Sequence, residues 1–434
     1  MRAAFIIVPL VLILAVVGFV VWKISGLKQR LVNDLQSELH AKAQIASLDL
    51  DIGAGELHAA GITLQNQRPD APWDTAAIDQ ASIHFKFSDL LASTLPVDVK
   101  ITGWKVNLHT TAQEPPPEAG TETSGSSFGG DDGAENKRVR VNSIAATQGE
   151  VTLGLSDTQS VMIHGVSFQA GTSGGPNWTT QLQVDSIDAG TFKTGNGSVK
   201  LYSDVDKITF SDLSILCGDG QIAGGGDLGT VAPHPLHGTF TATSIPITML
   251  VAARWQVKLS GLVTGHVNYQ GDDNSATATG TISVAGGKFN LFPGLGQAVQ
   301  LVGLPDITDT TVDQATADLT WKNHLLTLQN IDVRKNDVFR IGGQANVTAV
   351  GEIDGHLKLG LPSSAIAKWP KLQTDVFSVA QDDFNWTDVH VTGTPDHLQE
   401  DLSARLLAVG AAQGGQLIQQ TTQKAGDFIN SLLK

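Results

Sequence analysis

The chain has 434 residues, a formal net charge of −15 and a charged fraction of only 16%. The negative charge disfavours nucleic acid and anionic lipid head groups as ligands of an exposed surface, because both are polyanions. A single cysteine, Cys217, excludes an intrachain disulfide framework and any multi-cysteine metal site. Because Cys217 lies in a strand-like pattern, we expect a small buried residue at this position.

The first element is a run of residues 3–22 without a charged side chain. A helix rises about 1.5 Å per residue, so such a run matches the ~30 Å hydrocarbon core of a bilayer. The alternative, a cleaved signal peptide, fits less well because the run is long and lacks a small-x-small cleavage site before Lys23. We predict an uncleaved transmembrane anchor over residues 1–24. Its membrane-facing side chains are Phe5, Ile6, Ile7, Leu10, Leu12, Ile13, Leu14, Phe19 and Trp22.

Basic residues lie on both sides of this anchor. Arg2 and the α-amino group precede it, and Lys23, Lys28 and Arg30 follow it. The positive-inside rule taken alone slightly favours a cytoplasmic body, but the charge difference is too small to decide the orientation.

Residues 25–44 predict a juxtamembrane helix, because leucines recur there every fourth residue with charged residues between them. From residue 45 the period changes to two, and short runs alternate apolar and polar residues between Gly, Asn or Asp. This pattern is typical of antiparallel strands with one buried face. We therefore predict a first β section over residues 45–111.

Residues 112–138 interrupt the strands with a segment rich in Pro, Gly, Ser and acidic residues. Such a segment buries too little apolar surface to offset its ordering entropy. We predict a disordered insertion or linker, dispensable for stability and replaceable by a short Gly/Ser linker. A ligand-binding segment is the less favoured alternative.

The strand pattern resumes at residue 139 and continues to residue 398, and within it the chain repeats itself. Residues 209–228 match residues 327–347, and shorter copies occur at 61–66 and 165–169. In each copy the apolar residues change from even-numbered to odd-numbered positions or the reverse, which we call a parity switch. In the copy at 327–347, Leu328 is even-numbered and Ile331 is odd-numbered. An extra residue at Gln329 and Asn330, a β-bulge, would keep both side chains on one face. We predict a long bent antiparallel β-sheet of repeated units.

An antiparallel sheet with one apolar face must cover that face. Helical candidates between residues 45 and 398 are few, namely 90–95, 247–257 and 292–302. The sheet must therefore close on itself as a sandwich or barrel, or form a trough that an apolar ligand fills. Beside a membrane anchor, acyl chains are the expected ligand. The predicted groove lining is Leu319, Trp321, Leu326, Leu328, Ile331, Val333, Phe339 and Ile341.

The order of elements over residues 244–361 is distinctive. A short helix precedes a strand with spaced glycines, a Gly-bounded strand pair and a second short helix follow, and a strand–turn–strand then carries LTLQN. Together with the amino-terminal anchor, this resembles the carboxy-terminal part of AsmA-like proteins. The segment 386–407 is similar to that family's ending, except that His397 and Leu398 stand where Asn-Pro or Asp-Pro is commoner.

The resemblance implies a bacterial inner-membrane protein with its body in the periplasm, so that Arg2 stays inside. It implies a bent sheet with an apolar groove, of the kind found in bridge-like lipid-transfer proteins. The implied role is in outer-membrane biogenesis, by binding or helping to transfer phospholipids between membranes, with envelope proteins as further partners. A short chain favours a partial conduit, an adaptor or a regulator over a complete bridge. The alternative is a structural adaptor for envelope protein targeting, whose sheet closes on itself.

No catalytic constellation is recognisable in the sequence. The histidines His234, His237, His356, His390 and His397 are spread over strands and loops without a carboxylate or second ligand at metal spacing. No nucleophile motif or phosphate loop occurs either. We predict a protein that is not an enzyme, with no metal and no cofactor.

Residues 399–434 regain a helical period and predict amphipathic C-terminal helices. Leu402, Leu406 and Val409 form one stripe, and Gly414 with Gly415 precedes a second stripe on a different face. A helix that plugs the end of the sheet and a helix that docks on a membrane or partner both fit this pattern.

Overall fold

The computed structural model describes residues 32, 36, 39–51, 53–68, 71, 73–86, 88–89, 94–109, 138–156, 159–172, 177–190, 192–289 and 311–411. The chain divides into two compact units. Unit 1 comprises residues 1–215 and 228–231, and unit 2 comprises residues 216–227 and 232–434. Strands dominate the described residues, and this confirms the mainly β prediction with few short helices.

The described part of the chain contains no helix that is both long and apolar enough to cross a membrane. The predicted anchor, residues 1–24, lies outside the described residues.

The first eleven strands are β1 (Ala41–Asp51), β2 (Glu56–Asn66), β3 (Trp73–Phe85), β4 (Thr94–His109), β5 (Arg138–Ser156), β6 (Gln159–Gly171), β7 (Trp178–Val184), β8 (Ser186–Ala189), β9 (Phe192–Lys193), β10 (Gly197–Ser203) and β11 (Lys207–Cys217). The next eleven are β12 (Gly220–Gly229), β13 (Leu236–Pro246), β14 (Leu259–Gly271), β15 (Ala276–Phe289), β16 (Gln314–Lys322), β17 (Leu325–Lys335), β18 (Phe339–Thr348), β19 (Ile353–Pro362), β20 (Val379–Gln381), β21 (Phe384–Thr394) and β22 (His397–Glu400).

Unit 1 is a mixed sheet, which corrects the prediction of a purely antiparallel one. β1, β2, β3 and β4 pair in sequence as antiparallel neighbours, but β4 and β5 run parallel, with Thr94 opposite Arg138 and His109 opposite Gly154. A parallel pair needs a crossover of a dozen or more residues, and residues 110–137 are long enough to supply it. The predicted insertion therefore joins two parallel strands and is more than a tolerated interruption.

Three predicted boundaries in unit 1 are wrong at their ends. β1 begins at Ala41, inside the predicted helix 25–44, because Ala41 and Ala43 are buried and alternate with exposed residues. Ala, Lys and Gln favour helices intrinsically, and the buried alternation overrides that preference. Leu95, predicted at the end of a helix, is 1% exposed in β4, and β5 already includes Arg138. The rest of that predicted helix, residues 90–93, lies outside the described residues.

Unit 2 contains an antiparallel ladder in which strands follow chain order from β13 to β19. β21 pairs with β19, and β20 and β22 pair with β21. Antiparallel neighbours need only short turns, so this meander brings consecutive segments of the repeat side by side.

The described part of unit 2 contains five short helices: α1 (Ile247–Leu250), α2 (Ala253–Gln256), α3 (Ser363–Ile366), α4 (Pro370–Asp375) and α5, over residues 402–411. α1 and α2 confirm the helical prediction for 247–257, in two pieces. The sequence reading missed α3 and α4, and the predicted helix 292–302 lies outside the described residues. In α5 the stripe of Leu402, Leu406 and Val409 is buried, at 0%, 0% and 7% exposure, and this favours the first of the two alternatives for this segment, a helix packed against the sheet.

The repeated motif has a common backbone feature. Gly61, Gly165, Asp212 and Asn330 stand at equivalent positions of four copies, and each has a positive φ between 49° and 62°. Gly adopts this region freely, and Asp and Asn tolerate it better than other residues. A Cβ at Gly165 would lie 1.9 Å from the Asp185 side chain, so a larger residue there would also clash. The copies with Asp212 and Asn330 coincide with register shifts, and this confirms the bulge predicted at Gln329 and Asn330.

Candidate functional site

The bulge in β17 decides which face of unit 2 is apolar. Leu328 pairs with Ala345, the next paired residue of β17 is Ile331, and the two residues between them have no partner in β18. Leu328 and Ile331 therefore face the same side despite their different parity. The sheet bends at this point while its apolar face stays continuous.

This face borders a cavity of about 440 Å³ on unit 2. We call it the apolar groove and define it by its lining: Ile247, Val251, Ala252, Arg254, Trp255, Leu259, Ile282, Val284, Phe289, Ala315, Thr316, Ala317, Leu326, Leu328, Ile331, Val333, Ile341, Ala345, Val347, Ala349, Gly351, Ile353, Gly355, Leu357 and Val391. All but two of these residues, Arg254 and Thr316, are apolar or glycine. The groove crosses the strands from β14 to β21.

Of the eight residues predicted to line a groove, five lie together in its wall: Leu326, Leu328, Ile331, Val333 and Ile341. The remaining three are elsewhere. Leu319 and Trp321 stand opposite Leu328 and Leu326 in the ladder, so they share that face without bordering the cavity. Phe339 is 3% exposed and is buried in the hydrophobic cluster of unit 2 without bordering the cavity.

Sequence reasoning missed the contributions of β14, β15 and the two helices α1 and α2. It also missed small residues such as Ala315, Ala317 and Ala345, which leave the space that the cavity occupies. The alternation of Ala315 and Ala317 with polar neighbours was a usable signal, because residues two apart on a strand share a face. Alanine and glycine are weak indicators of a buried face, because they also occur in turns and on polar faces.

One edge of the groove is formed by α1 and α2 together with the turn between β18 and β19. The Arg254 guanidinium donates a hydrogen bond to the Val350 carbonyl oxygen. Gly351 has φ +79°, and a Cβ there would lie 2.8 Å from Arg254 Nη2. The positive φ favours glycine at this position, and a larger residue would also displace the guanidinium. Arg254 is exposed and is the only charged residue of the lining.

The β19–β21 end of the groove is closed. Leu359, Leu361 and Val391 are at most 1% exposed, and Ile366 of α3, Leu372 of α4 and Leu406 of α5 are fully buried in the same core. By contrast, Leu328, Ile331 and Val333 are only half-buried. Among the described residues, the helices therefore cover one end of the apolar face and leave the β15–β18 part open.

Unit 1 buries its apolar face more completely. Ile62, Ile83 and Val97 are each 1% exposed and belong to one core with Ala41 and Leu57. The apolar face of unit 1 is therefore less exposed than the groove wall of unit 2 at Leu328 and Ile331.

The opposite face of unit 2 is polar, and it corrects the expectation that the histidines lack nearby carboxylates. His234 Nδ1 lies 2.6 Å from Asp273 Oδ2. His390 Nε2 lies 2.7 Å from Asp354 Oδ1, and this contact holds the pKa of Asp354 below its usual range. His356 contacts the same carboxylate oxygen at 3.8 Å. Partners on neighbouring strands, such as His356 and His390, could not be paired from sequence spacing alone.

The single cysteine of the chain offers no exposed thiol. Cys217 is fully buried, as predicted, and burial raises the pKa of its thiol. A thiol of this kind is a poor nucleophile, because the thiolate is the reactive form.

In comparisons with known proteins, no family model matches the chain, and no curated protein matches it either.

Proposed function

We propose that this chain is an inner-membrane-anchored periplasmic protein that binds phospholipid acyl chains in the apolar groove and assists their transfer between membranes in outer-membrane biogenesis. The observation that carries the proposal is the open part of the groove. Its wall is almost wholly apolar, yet side chains such as Leu328 and Ile331 are only half-buried. Apolar surface left in contact with water is costly, and a hydrocarbon chain would cover it.

The dimensions of the groove suit an acyl chain. Five inter-strand spacings of about 4.8 Å separate β14 from β19, or roughly 24 Å along the sheet. An acyl chain spans about half of the ~30 Å hydrocarbon core, or roughly 15 Å. The cavity volume of about 440 Å³ lies within the range of ligand sites.

The charge distribution supports a phospholipid over a neutral hydrocarbon. Arg254 is exposed at the edge of the groove, and it forms no ion pair within the described part of the chain. A guanidinium matches the geometry of a phosphate group with two parallel hydrogen bonds. An acyl chain along β15 to β18 and a phosphate at Arg254 would use both features at once.

Two sequence features support the membrane context: the uncharged run 3–22 and the resemblance to AsmA-like proteins. The second candidate is a structural adaptor without lipid. The closed core of unit 1, with Ile62 and Ile83 at 1% exposure, favours that role for unit 1.

Photo-crosslinking separates the two candidates. A benzophenone amino acid at Leu328 would face the groove, whereas the same probe at Gln329 would face the polar cleft on the other side of the sheet. In cells we expect phospholipid to be crosslinked at position 328 and only background at 329. Equal labelling at both positions, or none at 328, would contradict the proposal and favour the adaptor.

A further inference from the structure

Three side chains meet on the face of β19 and β21 that points away from the apolar groove. His356 and His390 stand directly opposite each other, and their rings stack with centroids 4.5 Å apart and planes 9° apart. Asp354 Oδ1 lies 2.7 Å from His390 Nε2 and 3.8 Å from His356 Nε2. One ligand atom from each residue lies within 4.8 Å of the other two, and within the described ranges no other group of three does so.

We propose that Asp354, His356 and His390 form a binding site for a divalent first-row transition metal of the zinc class. Imidazole nitrogen suits Zn²⁺, Cu²⁺ and Ni²⁺, whereas Mg²⁺ and Ca²⁺ prefer oxygen ligands alone. Metal–ligand bonds of about 2.0–2.2 Å put tetrahedral ligand atoms about 3.3 Å apart. The two contacts at 2.7 and 3.8 Å bracket that spacing, and the ligand atoms of the two histidines lie within 4.8 Å of each other, so rotation of the imidazole rings would complete the site.

The backbone holds this arrangement firmly. The three residues lie on paired strands, so their Cα atoms are fixed by the ladder. The His390 backbone N–H also donates a hydrogen bond to Asp401 Oδ1 at 2.9 Å. The nearest positively charged side chain on β19 is Lys358, which stands opposite Asp388. The Asp388 carboxylate reduces the repulsion between Lys358 and a bound cation.

The remaining coordination positions face solvent. His356 and His390 border a cleft of about 870 Å³ that Asp388 and Asp401 also line. Zinc sites with three protein ligands and a free position bind water or another molecule at the fourth. The three ligands lie on the face of β19 and β21 opposite the groove, because exposed His356 alternates along the strand with Leu357, which is 8% exposed.

The test is a zinc titration of the full chain, purified in detergent, treated with a chelator and dialysed. We expect one Zn²⁺ per chain, with Mg²⁺ unable to compete. His356→Ala and His390→Ala should each weaken zinc binding at least about tenfold, since even outer-shell partners of a metal cost 10–100-fold. Both side chains are exposed, so the thermal melting transition should not change in the metal-free variants.

His84→Ala provides a matched control. Glu56, His58 and His84 also bring two imidazoles and a carboxylate together in unit 1, but the two imidazoles contact different oxygens of Glu56, at 3.0 and 3.6 Å. Zinc affinity should be unchanged in this variant. The proposal is overturned if wild type shows no saturable zinc binding, if His356→Ala and His390→Ala bind like wild type, or if His84→Ala loses as much affinity as they do.

Discussion

The connection between β4 and β5 must reach back along a whole strand. Thr94 stands opposite Arg138 in the parallel pair, and fifteen residue steps separate Thr94 from His109. At about 3.3 Å per residue, the chain leaving His109 has roughly 50 Å to cover before β5 can begin. An extended chain spans at most about 3.3–3.6 Å per residue, so about fourteen or fifteen residues are the minimum.

This reach sets a length threshold for replacing residues 110–137. A Gly/Ser linker of about eight residues spans at most ~29 Å and cannot join the two strands. Ile144 and Val151 of β5, both 4% exposed, would then leave the core, at about 1.5–3 kcal/mol each as an upper estimate. The two residues together lose about 3–6 kcal/mol, which reaches the lower end of a whole domain stability of roughly 5–15 kcal/mol. The earlier expectation of a short, harmless linker is therefore replaced by a length-dependent one.

Thermal melting of the two linker variants measures the threshold. A linker of about 26 residues has a relaxed span near 28 Å and stretches to the required distance, so it should keep the transition close to wild type. The eight-residue variant should lose the cooperative transition of unit 1. If both linkers melt like wild type, the parallel register of β4 and β5 is wrong. If both fail, the composition of residues 110–137 matters in addition to their length.

Three further outcomes follow from burial and charge. Leu359→Asp puts an unpaired charge at a site that is 1% exposed and should lower the free energy of unfolding, measured in urea, by several kcal/mol. Leu328→Asp in the half-buried groove should lower it much less. Equal losses of unfolding free energy in the two variants would contradict an open groove. Cys217 should react with iodoacetamide at pH 8 only after denaturation, because burial raises the pKa of its thiol; fast labelling of native protein would refute this. The pKa of Asp272 is held below its usual range, chiefly by a hydrogen bond from the Asn274 backbone N–H. The Asp272 carboxylate therefore stabilises the fold above the unfolded pKa of about 3.9, and this stabilisation is lost as the pH falls through the folded pKa. Asp272→Ala should make stability less dependent on pH below about 4, and an unchanged acid slope would contradict the assignment.

Local alternation and the repeated motif were sufficient to predict much of the fold. The parity switch between Leu328 and Ile331 predicted the bulge, which places both side chains on the face that borders the groove. These features are visible in the sequence because the side-chain period of a strand is two, so an inserted residue leaves a detectable shift.

What the sequence did not reveal depends on contacts between distant segments. The parallel pairing of β4 with β5 follows from chain return over residues 110–137, and no local pattern records strand direction. The pair of His356 and His390 depends on which strand neighbours β19. Ala41 and Ala43 read as helical by propensity, and only burial against the unit 1 core makes them a strand.

The central claim is that the open groove of unit 2 holds phospholipid. The most direct measurement counts phospholipid molecules per chain by mass spectrometry in protein purified from membranes, alongside the melting transition. We expect bound phospholipid in wild type and in Gln344→Asp, whose charge lies on the exposed polar face of β18. Leu328→Asp should lose the lipid and keep its melting transition. A wild-type chain without phospholipid, or lipid retained by Leu328→Asp as well as by Gln344→Asp, would contradict the account.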